Sequence, residues 1–593
     1  MRQLLDMKFK FTPSNNVTKF PILDRKKTLL LSILYLTTVL VNLNFRAKIP
    51  VLASFSSPHD DQLGVELASN ILSGDWLGVW NNRTLAKPAG YSLYLAMAHF
   101  IPIDLAILSQ ILYITATALF LILAQRFLVG SNKFKDIAVY LIFIFLIFQP
   151  ILFDPGANRI YRSSVPNMVL TLTFSILLLS VFEKISYLPD FINLTLKKRV
   201  KFYLLVSAVS FTYASMVLFR YESFWIIICS IPPLVLLLIF KFRSINRNKE
   251  NRIAFVKFFA PVPFLLVLIY TLPIVAVQES NKSSFGVPLT ENYFQGSFSD
   301  AINLWASVDV GRDPRPYVVV SADQRSAVYE ISSTASLLKP FLEDTNSGWN
   351  APACNLIKLC DNSGGWFTWQ TRDAAMQTGY VYSERTFQHF FKSIATDIQK
   401  ACDRSQFNCV RESSIVGSKP LQEIPKKQMV EHSIENFRLL LPLKFQNKLL
   451  LSRTDNFGAS EEVVNLYHHV VNYQTSQSYN EADLKKTSKV FERISNVYVV
   501  LNWAIFLLAL AGIFLYWQRG MRLHIKTIFV FLSLGVTSQL IGAGIANISF
   551  GSAPTALYLL SAYPMLHLID ALGIISLINY LKIKRTYSHV STN

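Results

Sequence analysis

Along this chain, apolar runs of roughly 18 to 25 residues alternate with short polar connections, a spacing set by the thickness of a bilayer. Such runs occupy 28–45, 105–127, 135–153, 165–182, 201–219, 223–241, 253–277, 497–517, 527–547 and 555–581. Each predicts a spanning helix, because hydrocarbon tolerates only a segment that satisfies its own backbone hydrogen bonds. The apolar stretch 91–103 would add one more span, but counting it would set the basic segment 197–199 and the N-terminus on opposite sides. It is therefore read as a helix lying at, or dipping into, the outer interface. The expected fold is a polytopic α-helical membrane protein with about 10–11 transmembrane helices, seven of them before residue 278.

The pattern changes between 278 and 496, a polar stretch long enough for a folded domain. Tyr317-Val318-Val319-Val320 is strand-like, and helical periods follow around 323–342, 371–402 and 430–451. A mixed α/β extracytoplasmic domain is expected, with Trp349, Trp366 and Trp369 available for its core. The chain thus divides into an N-terminal membrane module (1–277) with a first external loop (46–104), a soluble domain (278–496) and C-terminal membrane helices (497–593).

Charge orients these elements. The formal net charge is +19, and the basic residues concentrate in short loops between spans, as the positive-inside rule requires of cytoplasmic connections. No nucleic-acid partner needs to be invoked. Lys197-Lys198-Arg199, the loop from Lys241 to Arg252, the turn from Arg519 to Lys526 and the segment from Lys582 to Arg585 agree on one side, with both termini inside. The first apolar run lacks a small-residue cleavage site after it and reads as a retained span. An integral, multi-pass protein of a bacterial inner or plasma membrane is expected, with the endoplasmic reticulum as the alternative. Of five cysteines, Cys229 lies in a span, while Cys354/Cys360 and Cys402/Cys409 form short-range pairs in the polar segment and read as two disulfides.

That topology gathers a set of charged residues on the outer side. His59-Asp60-Asp61 follows the first span; Arg159 and Arg162 lie in 154–167; Arg220-Tyr221-Glu222 joins two spans. Carboxylates and guanidinium groups at a bilayer surface are costly unless paired or used. A carboxylate there suits a general base that takes a hydroxyl proton. Lys87, Arg159, Arg162 and Arg220 suit a phosphate, as a point charge or as bidentate forks. A plainer reading stands beside this one: Asp60 and Asp61 would cap the helix starting near Gln62, and Arg220-Tyr221-Glu222 would be a hydrated turn.

The run His59-Asp60-Asp61-Gln-Leu-Gly-Val-Glu-Leu-Ala68, then Leu72-Ser-Gly74-Asp-Trp76, then Lys87-Pro-Ala-Gly90-Tyr91 resembles the first external loop of the GT-C superfamily of membrane glycosyltransferases. That group includes protein O-mannosyltransferases, oligosaccharyltransferases and aminoarabinose transferases. The resemblance covers about a tenth of the chain, and a GT-C-like seven-helix module before the variable region adds to it. It implies a polyprenyl-phosphate-type sugar donor, a glycan, lipid or protein acceptor, and an inverting displacement on the extracytoplasmic face. Asp60 falls on the family's base, with Asp61 or Glu222 positioning sugar or base and His59 and Tyr91 in supporting places. The sequence departs from the pattern where Asp61 replaces a frequent Glu and Ala89 replaces a second proline. No Trp-Trp-Asp-Tyr-Gly motif occurs, which argues against en bloc transfer to asparagine.

Other features carry less. Tyr467-His468-His469 lacks a third ligand at metal spacing and reads as a surface helix; no metal site is assigned, and whether a divalent cation (Mg²⁺ or Mn²⁺) assists is left open. Gly542-Ala-Gly544 reads as close helix packing. Asn82-Arg83-Thr84 is a glycosylation sequon that only a eukaryotic source would use. Two other functions compete with transfer: a transporter or flippase for a polar or lipid-linked solute, which calls for polar residues at mid-bilayer depth such as Asp570, and a non-catalytic membrane scaffold.

Overall fold

A computed structural model describes residues 25–49, 51, 53, 58–128, 132–187, 194–245, 249–311, 317–357, 360–409, 424–442, 460–471, 481–550 and 555–590. The membrane-side helices of the first half are α1 (Arg25–Ala47), α2 (Leu63–Ser73), α3 (Gly90–His99), α4 (Leu105–Ala124), α5 (Asn132–Ile147), α6 (Val165–Tyr187), α7 (Leu196–Phe219), α8 (Trp225–Ser244), α9 (Lys249–Phe259) and α10 (Pro261–Phe285). The polar segment supplies α11 (Gly296–Ala306), β1 (Val308–Asp309), α12 (Ala322–Ile331), α13 (Ser333–Ser336), α14 (Lys339–Leu342), α15 (Asn350–Ile357), α16 (Gly364–Gln377), α17 (Glu384–Asp403), β2 (Asn408–Cys409), α18 (Lys426–Leu440) and α19 (Glu461–Val470). The chain returns to the bundle through α20 (Glu481–Gln518), α21 (Leu523–Phe550), α22 (Thr555–Leu559) and α23 (Tyr563–Val590).

Among the described residues, nine helices are long and apolar enough to cross a membrane, so the protein is an integral, multi-pass membrane protein. The expected span 135–153 is the one missing from this set. Its helix α5 holds 16 residues and stops before Pro150, whose ring and missing N–H disfavour helix in the preceding residues. The stretch 91–103 becomes α3, whose 10 residues reach only about 15 Å and cannot cross. The expected last span, 555–581, is broken between α22 and α23; Pro564 sits in the first turn of α23, where proline is tolerated.

The bundle core is a continuous cluster from α4 to α8 and α20 to α23, including Phe120, Phe143, Phe174, Leu532 and Tyr563. A polar seam threads it. Asn42 accepts from Gln110 at 2.7 Å, Tyr563 donates to Gln149 at 2.7 Å, Gln149 and Asn502 pair at 3.3 Å, and His567 Nδ1 stands 3.1 Å from Asp570. Cys229 is a buried free thiol, as read from the sequence. Gly544 admits α18 closely: a Cβ there would lie 3.5 Å from His432 Cβ and from the Met429 carbonyl oxygen.

The expected mixed α/β domain is corrected to a largely helical one. The only paired strands among the described residues are β1 and β2, two residues each, antiparallel with Val308 opposite Cys409. Tyr317 to Val320 does not form a strand; Tyr317 sits at φ 63° and Val318, Val319 and Val320 bury their side chains under the helices. The helical core is Phe298, Ile302, Trp305, Phe367, Phe387 and Phe391, not the three tryptophans first suggested, which stay half-buried. The two disulfides are formed as expected, Cys354–Cys360 next to α15 and Cys402–Cys409 tying the end of α17 to β2. Residues 467–469 lie on a helix whose outer face, with His469, is exposed, while its inner face packs: Tyr467 and Val470 are buried against Val51, Val65 and Ala68 of the first loop, and the Tyr467 hydroxyl donates to the Val51 carbonyl at 3.1 Å.

Candidate functional site at one end of the bundle

The segments expected to share a side do meet. The loop before α2, the connection before α6, the turn between α7 and α8 and the start of the helical domain converge on one another. The chain enters through a π-helical turn, Pro58–Gln62, that runs directly into α2. Such wide turns are uncommon and concentrate at functional sites. The turn decides between the two readings of the acidic pair. The α2 N-terminus has no side-chain cap at Gln62, and the carboxylates turn instead to cations: Asp60 Oδ1 accepts from Lys87 Nζ, and Asp61 Oδ2 accepts from Arg159 Nε at 2.6 Å.

Local backbone chemistry places Lys87 there. Leu85 adopts φ 53°, a left-handed conformation that costs a non-glycine residue about 1 kcal/mol or more. Tertiary bonds hold it: Asn292 N–H donates to the Leu85 carbonyl at 2.7 Å, and Arg372 donates to the carbonyls of Asn82 and Thr84, each at 2.7 Å. Gly90 is required by contact rather than by φ. A Cβ at that position would meet the Leu218 backbone at 2.5 Å, so the Pro-Ala-Gly-Tyr segment can lie against the end of α7 only without a side chain. Tyr91 is buried there, its ring 5.9 Å from Phe219.

Arg162 Nη2 donates to Glu222 Oε1 at 3.1 Å, and Arg220 Nη1 donates to Ser163 at 2.8 Å. Arg220 Nε stands 3.5 Å from Glu222 Oε2, an ion pair without hydrogen-bond alignment. Tyr161 wedges between the two halves, its ring centroid 5.4 Å from both Lys87 Nζ and Arg159 Cζ; Tyr558 takes Arg220 at 4.8 Å. His59 packs between Trp369 and Trp349, with centroids 4.4 and 5.0 Å away. The structure therefore brings together Asp60, Asp61, Lys87, Arg159, Arg162, Arg220, Glu222 and His59, and places Tyr91 in the apolar support behind them.

Electrostatics follow from this packing. Burial alone would raise the Asp60 carboxyl; Lys87, Arg159 and Arg162 outweigh it and hold the group below its ordinary value, ionised at neutral pH. Burial, aided by Arg83 and Lys87 against the pull of Asp373, pushes His59 down to about 4, so its ring is neutral. Glu291, buried where Tyr293 and Phe294 donate backbone N–H groups to it, is pushed up to about 8, again mainly by burial. Three guanidinium nitrogens (Arg159 Nη2, Arg162 Nε and Arg220 Nε) are buried without a hydrogen-bond partner among the described residues. A buried N–H left this way costs about 1–3 kcal/mol, and anion recognition is one use for it. A divalent metal fits the site poorly: each of the three carboxylates already faces a cation, and among the described residues no group of three or more His, Cys, Asp or Glu could hold an ion.

Sequence reasoning missed Tyr161, Tyr558, Ser163 and the tryptophans at His59. Tyr161 lies between the two arginines already singled out, Arg159 and Arg162, and a search for aromatic faces beside cations would have found it. Tyr558 carried no local signal. In comparisons with known proteins the chain matches no family model, and no curated sequence and no solved structure is significantly similar to it.

Proposed function

We propose that the protein is a membrane glycosyltransferase of GT-C type. It would move a sugar from a polyprenyl-phosphate donor to an acceptor hydroxyl on the extracytoplasmic face. One observation carries this reading: an ionised carboxylate, Asp60, shares a half-buried site with Lys87 and three arginines that retain N–H groups without a hydrogen bond among the described residues. In the reaction, the acceptor oxygen attacks the anomeric carbon as the bond from that carbon to the phosphate oxygen breaks. Asp60 takes the hydroxyl proton, and the lipid phosphate leaves with the bonding pair. Lys87, Arg159, Arg162 and Arg220 hold the growing phosphate charge where water is excluded. When Lys87 turns from Asp60 to the phosphate, Asp60 loses its strongest cation and becomes the stronger base. Asp61 and Glu222 orient the arginines. The resemblance of 59–91 to the GT-C first loop supports the same assignment.

The test is transfer of labelled sugar from a panel of polyprenyl-phosphate donors by purified wild type and Asp60→Asn. The rate should fall roughly 10²–10⁴-fold in the variant, with donor binding retained. Equal rates would remove Asp60 as the base, and no transfer from any donor would remove the enzyme reading. A transport reading draws on one specific observation, the buried seam from Asn42 to Asp570 within the bundle. Passage of labelled lipid across proteoliposomes that depends on His567 and Asp570, without transfer, would favour it.

A further inference from the structure

Trp349 precedes α15, while Trp366 and Trp369 lie one turn apart on α16. The Cys354–Cys360 disulfide ties α15 to the segment leading into α16, so the two helices that flank the bridge present the three indoles from either side of it. These rings are half-buried and stand outside the helical core built on Phe298, Trp305 and Phe367. They form a strip. Trp366 lies 6.4 Å from Trp349, Trp349 5.0 Å from His59, His59 4.4 Å from Trp369 and Trp369 5.5 Å from Tyr293. The strip ends at the charged site: the Trp369 ring centroid is 5.9 Å from Lys87 Nζ.

A polar edge accompanies it. Asp373 Oδ2 accepts from Trp349 Nε1 at 2.8 Å and Oδ1 from Asn82 Nδ2 at 2.5 Å. A carboxylate has about four acceptor sites, so one held by two donors keeps capacity for hydroxyl groups. His59, neutral at neutral pH, adds a ring nitrogen that can donate or accept. Aromatic faces carry negative charge density that meets the C–H face of a pyranose, and flanking carboxylates take its hydroxyls.

We propose that the strip of Trp366, Trp349, His59 and Trp369, with Asp373 at its edge, is a sugar-binding subsite that delivers a pyranose ring to Asp60 and Lys87. The proposal rests on the glycosyltransferase reading for what the subsite delivers, and not for the sugar binding itself. The sugar belongs either to the lipid donor or to a saccharide acceptor.

The experiment uses full-length protein in lipid nanodiscs. Wild type, Trp369→Ala, Trp349→Ala and Trp369→Phe are titrated with three probes: a bare polyprenyl phosphate, the same lipid bearing a hexose, and a panel of soluble methyl glycosides and oligosaccharides. Each alanine variant should lose roughly tenfold in affinity for a sugar-bearing probe, about the worth of one stacked aromatic contact, and stay within about twofold on the bare lipid. Trp369→Phe, which keeps a ring, should retain most of the affinity, separating stacking from collapse of the fold. A loss confined to the hexose-bearing lipid assigns the strip to the donor sugar; a loss confined to the soluble saccharides assigns it to the acceptor. Equal losses on both lipids, or no loss on any sugar, overturn the subsite. Saccharide binding that depends on the tryptophans, in a protein that ignores the bare lipid, keeps the subsite and overturns the phosphate-donor reading instead.

Discussion

Two guanidinium–carboxylate groupings in this molecule differ in depth and in how they are finished: Arg325 is 2% exposed, while Arg159, Arg162 and Arg220 are only partly buried. In the helical domain, Arg325 donates from Nε and Nη2 to the two oxygens of Glu343, each at 2.7 Å, and from Nη1 to Asp361 at 2.8 Å and the Val320 carbonyl at 2.9 Å. Every nitrogen of that guanidinium is used. Near Asp60, Arg159, Arg162 and Arg220 each keep a nitrogen without a hydrogen bond among the described residues, that of Arg220 still facing Glu222 at 3.5 Å. Removing a buried charge from water is expensive, and a cluster kept for structure recovers the cost by saturating its donors. Under the proposed function, the donors left over near Asp60 are the ones that would meet the phosphate.

Substitution tests the contrast most strongly at Arg325. Arg325→Ala removes the four hydrogen bonds of this buried guanidinium, including its ion pairs to Glu343 and Asp361, and should cost on the order of 3–5 kcal/mol, seen as an early unfolding transition of the helical domain in thermal melts. Anion affinity measured below that transition should not change. Next in size is the Cys402–Cys409 bridge, which closes a short loop and fixes β2 against β1. Cys402→Ser with Cys409→Ser should lower stability by about 2 kcal/mol and again spare anion binding. Arg162→Met reverses the pattern. Because Glu222 is about one-third exposed and keeps Arg220 3.5 Å away, the melt should move little, while affinity for a polyprenyl phosphate falls about tenfold. If Arg162→Met destabilises as much as Arg325→Ala, the two clusters are of one kind and the contrast fails.

The smallest expected effect is a pH dependence. His59 is held near 4 in the folded protein against an ordinary value of 6.5. Folding therefore favours the neutral ring, and this contribution is complete above about pH 6.5 and lost as the pH falls toward 4. Between pH 7 and 5 it amounts to about 1 kcal/mol after allowance for partial exposure. Melts of His59→Gln should lack that part of the acid sensitivity; identical slopes for variant and wild type would mean that His59 is not held neutral between Trp349 and Trp369.

Much of the fold was legible because the bilayer imposes a single length on every span. The apolar runs at 105–127, 165–182 and 527–547 need no partner to be recognised, and the structure returns them as α4, α6 and α21. The reading failed where local pattern and packing disagree. Tyr317 to Val320 has the composition of a strand, but among the described residues no strand pairs with it, and Val319 and Val320 pack in a helical core. The tryptophans have the composition of a core and instead face the charged site. Disulfide pairing was legible from separations of 6 and 7 residues, since close cysteines have few other partners.

The sequence by itself determined that this is a membrane protein, most of its apolar spans, and which charged residues stand in its connections, because hydrophobic length and charge are properties of consecutive residues. Only the tertiary structure decided that Asp60 faces Lys87 rather than a helix N-terminus, that Asp61 is consumed by Arg159, and that Trp349 and Trp369 close on His59. Those partners are separated by up to about three hundred residues, and pairing over such distances is set by which buried groups can satisfy one another, not by any local pattern.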